Sequence, residues 1–289
     1  MLSNISFEDF VREEELQSFN DKESVAIGLL GLTKGLGKKQ LQKLMFLSST
    51  ENNIILPFKF EKNLYGPYSK ELEETINILE QKNIIEFSKD TVFTIPQETR
   101  KLTKEGEKSL ENPEAKIFSN FIKEIISNYE GEKKGVFPYG KILEKTCYDK
   151  FYLTKNETEE WKNSIKSKIQ DILSLLKDRT QIIEKKEELE EKQDLILMAF
   201  DYMKNLLNKI LEKDVDQVVK GVLIRKTEEY VDKWGEIILL DQEKKTKEEF
   251  NKILSEEKII FKFINKWAFS NNVCDSVFEF ELKEESQIR

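Results

Sequence analysis

The sequence predicts a mostly α protein: a winged-helix N-terminal domain with a small β-hairpin, followed by an elongated α-helical region. Three observations predict it. All five prolines lie at or before Pro138, and only Gly221 and Gly235 follow Gly140, so the residues that punctuate turns and disrupt helix interiors are concentrated in the first half. The first half reads as three helical stretches and then a hairpin. The second half repeats apolar residues at steps of three and four, the spacing of a packed helical seam. The divisions that follow are a leader segment over 1–20, a winged-helix domain over 21–112, a connecting helix and linker over 113–153, and a helical, coiled-coil-like domain over 154–289.

In chain order, ESVAIGLLGLTKGLG reads as an apolar helix ended by glycines, and KKQLQKLMFLSST as a second helix with Leu41, Leu44, Met45 and Phe46 on one stripe. NIILPFKFEK is a short extended piece, held to an edge or a turn by Pro57. LYGPYSKELEETINIL then launches a third helix sharply. Ser69 is placed to cap it, Glu71 suits the positive end of its dipole, and Leu72, Ile76 and Leu79 share one face. NIIEF, SKD and TVFTI read as two β-branched runs around a polar turn, a hairpin, and KLTKEGEKSLE as a strand end and short helix. Helix, helix, helix, hairpin is the order of a winged helix. Further on, EAKIFSNFIKEIISNY is amphipathic, and Ile165, Ile169, Ile172 and Leu176 form the next seam. The run EKKEELEEKQD at 184–194 interrupts that seam, as a solvated bridge or a turn of the chain. SVFEFEL near the end alternates loosely, as a short strand would.

Composition narrows the chemistry. Hydrophobic residues reach 38% of the chain, enough to form a core despite 35% charged residues. Histidine is absent, which removes the commonest general base and the commonest imidazole ligand. Cys147 and Cys274 have no framework spacing, which fits a reducing compartment, and no stretch approaches the ~20 apolar residues of a membrane span. The start shows no basic leader before an apolar run. A cytoplasmic protein without cofactor, metal or membrane is expected. The net charge is −8, and Asp21 to Glu111 contains 14 basic and 14 acidic residues, so the whole excess lies elsewhere. A general affinity for nucleic acid would call for the opposite sign.

QLQKLMFLSST, YGPYSKELEETINILEQKNII and LTKEGEKSL together resemble the SocA/Panacea-type domain of antitoxins and phage- or plasmid-encoded regulators, over about residues 24–111. The resemblance implies a non-enzymatic domain that recognises a macromolecule, often a toxin protein, and also touches DNA in some members. Tyr65, Gly66, Pro67, Tyr68 and Ser69 are the positions that match the motif. The helical remainder matches nothing in that family.

For protein recognition the candidate contacts are Tyr65, Tyr68, Ser69, Glu71 and Glu74, since tyrosines suit interface anchors and the third helix carries four glutamates against Lys70 and Lys82. The structural explanation of the motif stands beside this: Gly66 permits an unusual backbone angle and Pro67 presets φ. For DNA reading the candidates are Lys38, Lys39 and Lys43 on the second helix, and Lys89, Arg100 and Lys101 near the wing. Asn77 and Gln81 are available as base readers. GLTKGLGKK has the wrong spacing for a phosphate-binding loop and follows a helix. A carboxylate-dependent nuclease would need acids converging on magnesium, and no pair here sits on a diagnostic scaffold. Trp161, Trp234 and Trp267 read as helix-packing residues. The functional expectation is therefore a regulator, not an enzyme, that binds a toxin or effector protein. The alternative is a DNA-binding transcriptional regulator whose helical tail forms a homodimer.

Overall fold

The computed structural model describes residues 17–33, 35–92, 95–130, 138–185, 190–240 and 247–275. The chain is mostly helical, with two small two-stranded sheets among these residues. Most of the leader over 1–20, the centre of the acidic run 184–194 and the strand expected at SVFEFEL lie outside them.

Helix α1, Lys22–Gly31, starts at Asp21, whose carboxylate accepts from the Glu23 amide at 3.0 Å and the Ser24 hydroxyl at 2.5 Å. Every residue from Ser24 to Leu30 is buried, as befits a helix apolar all round. Helix α2, Lys38–Glu51, follows. Strands β1, Glu61–Asn63, and β2, Gly66–Tyr68, pair antiparallel with Lys62 opposite Pro67. The motif read as a turn is therefore a miniature hairpin. GPY forms its second strand, and Leu64 and Tyr65 form the tip. Gly66 sits at φ +106°, a region that L side chains rarely adopt, which is why the hairpin needs glycine there.

Helix α3, Lys70–Gln81, is launched by Ser69, whose hydroxyl accepts from the Leu72 amide at 3.3 Å. Leu72, Thr75, Ile76 and Leu79 face the core. Each of its aliphatic side chains stabilises the fold by roughly 1.5–3 kcal/mol when fully buried. Strands β3, Ile85–Val92, and β4, Ile95–Leu102, pair from Ile85↔Leu102 to Val92↔Ile95. This hairpin is longer than the sequence implies. Lys89 and Asp90, read as turn residues, lie within β3 opposite Glu98 and Gln97. TVFTI is divided between the strands, with Thr91 and Val92 ending β3 and Ile95 opening β4, so the observed pairs are not those of a turn at SKD. A two-residue bridge between Leu36 and Arg100, with N–H···O distances of 3.0 and 2.9 Å, ties β4 to the segment before α2.

Helices α4, Lys104–Ser109; α5, Pro113–Glu130; and α6, Pro138–Phe151, connect to four long helices. These are α7, Glu159–Ile183; α8, Glu190–Glu212; α9, Gln217–Leu240; and α10, Lys247–Ser270. The expected seam Ile165, Ile169, Ile172 and Leu176 is buried along α7. Helix α7 ends at Ile183, just before the acidic run, and α8 begins within it at Glu190, so that Glu190 to Asp194 belong to α8. The region folds back on itself instead of extending as one rod: α9 packs against α10, α7, α6, α8 and β1. Gly221 makes the α9–α6 contact possible, since a Cβ there would lie 1.9 Å from the Phe151 carbonyl oxygen. Trp161, Trp234 and Trp267 are buried in this helical core. One continuous apolar cluster runs from Phe19 to Cys274, joining the N-terminal elements to the helical bundle.

Candidate functional site

The matched motif sits where α2, the β1–β2 hairpin and α3 meet. Gln42 on α2 holds the entry to α3 by its backbone: its side-chain amide donates to the Ser69 carbonyl at 2.9 Å, and the Ser69 N–H donates back to its oxygen at 2.8 Å. Both groups are buried; without Gln42 the Ser69 N–H would lack a partner, whereas the carbonyl also accepts from the Glu73 amide at 3.3 Å. Ser69 is itself fully buried. Its hydroxyl caps α3 and donates to Glu71 at 3.0 Å. Ser69 serves the site as a cap; the contact expected of it has no exposed surface to act through.

The glutamates of α3 are largely turned toward cations and amides of the same molecule. Glu73 accepts from the Lys38 ammonium through one oxygen and from the Tyr68 hydroxyl through the other. The Lys38 bond, then the Tyr68 bond, holds the Glu73 carboxyl below the ordinary carboxylate range. The Glu73 bond pushes the Tyr68 phenol up to about 12. Glu71 accepts from the Lys59 amide at 3.3 Å. Glu80 accepts from Arg100 Nε at 3.1 Å, and Glu74 lies 3.5 Å from Lys70 one turn away. The exposed stripe of α3 is Lys70, Glu74, Asn77, Ile78 and Gln81. It is close to neutral and rich in amides. The acidic face legible in the sequence is therefore corrected by contacts too distant in the chain to read: Lys38 lies 35 residues from Glu73.

The basic candidates are engaged in the same way. Lys101 pairs with Glu86 at 3.1 Å and Lys43, almost wholly buried, with Glu144 at 3.4 Å. Arg100 lies over the Phe87 ring, 5.3 Å from its centroid. Lys39 instead places its ammonium 3.3 Å from the centre of the Tyr65 ring. Lys89 occupies β3, and its side chain lies outside the described residues. These pairs are worth only about 0.2–1 kcal/mol each where exposed. Their consequence is electrostatic: a phosphate that approaches Lys38 or Arg100 also approaches the carboxylate beside it.

Large apolar side chains are also presented to solvent. Leu64 and Tyr65 at the hairpin tip are 60% and 50% exposed, and Ile78 on α3 and Phe87 on β3 are 42% and 43% exposed. Tyr65 and Tyr68 share one hairpin, and Glu71 and Glu74 stand one turn apart on α3, directly after it. Leu64, Ile78 and Phe87 were missed. Ile78 carried a readable signal, since it falls outside the 72–76–79 stripe; Gln42 carried none, because its role depends on a partner 27 residues away. Among the described residues no group of three or more His, Cys, Asp or Glu could hold a metal ion, and no helix is long and apolar enough to cross a membrane. No protein-family model, curated protein or solved structure matches this chain.

Proposed function

We propose that the chain is a non-enzymatic regulator that acts by binding a macromolecule, with a protein partner recognised by its N-terminal part in the manner of an antitoxin or inhibitor. The N-terminal part is read as a winged helix, on the order α1, α2, α3, β3–β4 and on the motif resemblance. The observation that carries the choice of a protein partner is the engagement of Lys38, Lys43, Arg100 and Lys101 by Glu73, Glu144, Glu80 and Glu86. Neutral ion pairs release few counterions to a polyanion. The exposed Leu64, Tyr65, Ile78 and Phe87 offer apolar and aromatic anchors of the kind that dominate protein interfaces.

The alternative, a DNA-binding regulator, draws support from one feature: Asn77 and Gln81 are exposed on a near-neutral α3, where amides could meet base edges. Titration of the chain with duplex DNA across salt concentrations separates the two. The protein-partner reading expects affinity no tighter than the roughly 10⁻⁴–10⁻⁶ M of non-specific binding, with a shallow salt slope. Tight binding with a steep slope, lost on changing Lys38, Lys39 and Lys43 to Glu, would establish the alternative instead.

A further inference from the structure

Between the start of α2 and the β1–β2 hairpin lies a cleft of about 390 Å³, lined among others by Lys38, Lys39, Lys43, Asn63, Tyr65 and Tyr68. Three of its lining residues are lysines, and no carboxylate is among the described residues that line it. This is unusual ground in a chain of net charge −8. We propose that this cleft binds a small phosphorylated ligand of nucleotide size.

The chemistry follows from the lining. Lysine ammonium groups are compact point charges suited to phosphate, and Lys38 and Lys43 share theirs with Glu73 and Glu144. Lys39 has no carboxylate partner among the described residues; its charge rests over the Tyr65 ring and can be turned to an anion without breaking an ion pair. The stem of Lys43 runs beneath Gly66, where a Cβ would come within 3.6 Å of Lys43 Cε, so its head is held at the cleft by a packed chain. The contact of that buried head with Glu144, 3.4 Å long, leaves donor capacity for an anion. Two tyrosine rings give a planar group surfaces to lie against. The volume falls in the range of small-molecule sites. Its concave form also reconciles it with weak DNA binding. A small anion reaches the Lys39 ammonium without displacing a carboxylate, whereas a duplex laid across the surface must also meet Glu73 and Glu80. The inference goes beyond the protein-partner reading and stands or falls separately from it.

Isothermal titration of the full chain with inorganic phosphate, adenosine monophosphate, adenosine, citrate and a short duplex tests it. Saturable binding of the monophosphate is expected, with phosphate weaker and adenosine silent. Lys39→Gln, an exposed change, should weaken the monophosphate about tenfold, as loss of one charged hydrogen bond does. Tyr65→Ala should weaken the monophosphate and leave phosphate unchanged. Circular dichroism confirms that each variant folds. The proposal is overturned by no saturable binding up to millimolar monophosphate, by undiminished binding in Lys39→Gln, or by a preference for citrate or duplex over the monophosphate.

Discussion

Gln42 and Ser69 bond to each other twice, amide to carbonyl at 2.9 Å and backbone N–H to side-chain oxygen at 2.8 Å, in a buried setting. The pair fixes α2 against the entrance to α3, and so fixes the hairpin between them. Gln42→Leu keeps the volume and leaves the Ser69 N–H without a partner, while the Ser69 carbonyl keeps the Glu73 amide at 3.3 Å. At about 1–3 kcal/mol for an unsatisfied buried group, a loss of that size is expected in urea unfolding. An unchanged midpoint would mean that the pairing contributes nothing to the fold.

Ser69→Ala removes the cap of α3 and should lower stability by about 1 kcal/mol, read as a lower Tm. Because Ser69 has no exposed surface, partner affinity should change little once the variant is held well below its melting temperature. A large loss of affinity with an intact fold would instead assign Ser69 to the interface.

The ion pairs that mask the basic residues can be opened by design. Glu73→Gln combined with Glu80→Gln leaves Lys38 and Arg100 without their carboxylates while preserving hydrogen-bond capacity. The double variant should bind duplex DNA more tightly than the parent, with a log–log salt slope steeper by up to about two, one for each cation released. Equal affinity in fluorescence anisotropy would show that these glutamates do not govern the response to polyanions.

Glu257 lies wholly buried in the helical bundle, with its carboxyl accepting from Trp234 Nε1 at 3.1 Å, and burial pushes it up to about 7. Below the ordinary carboxylate range both folded and unfolded states hold the proton. As pH rises from about 4.5 toward 7 the unfolded chain ionises first, so this group's contribution to stability falls across that window. Glu257→Gln should therefore match the parent near pH 4 and melt at a higher temperature than the parent at pH 8. Parallel melting curves across the whole range would place the titration elsewhere.

Local signals made the helices legible. The Ser69 cap, the Leu72–Ile76–Leu79 face and the Ile165–Leu176 seam each span a few residues, and each appears where the spacing places it. The register of β3–β4 was less legible, because Lys89, Asp90 and Pro96 look like turn residues when their cross-strand partners are unknown. The site was legible in part. Tyr65 and Tyr68 were marked by the motif, but the charge state of the surface was not, since Lys38–Glu73, Lys43–Glu144 and Arg100–Glu80 join residues 35, 101 and 20 positions apart. An acidic helix in sequence became a near-neutral one in space.

The most direct test of protein recognition through the apolar hairpin tip is affinity purification of the tagged chain from its native host, with and without nuclease, beside a Leu64→Ala, Tyr65→Ala variant that retains the parent's fold. The account predicts one polypeptide recovered in equal yield under both treatments and lost with the variant. Recovery of nucleic acid, with all bound material removed by nuclease and undiminished in the variant, would contradict it.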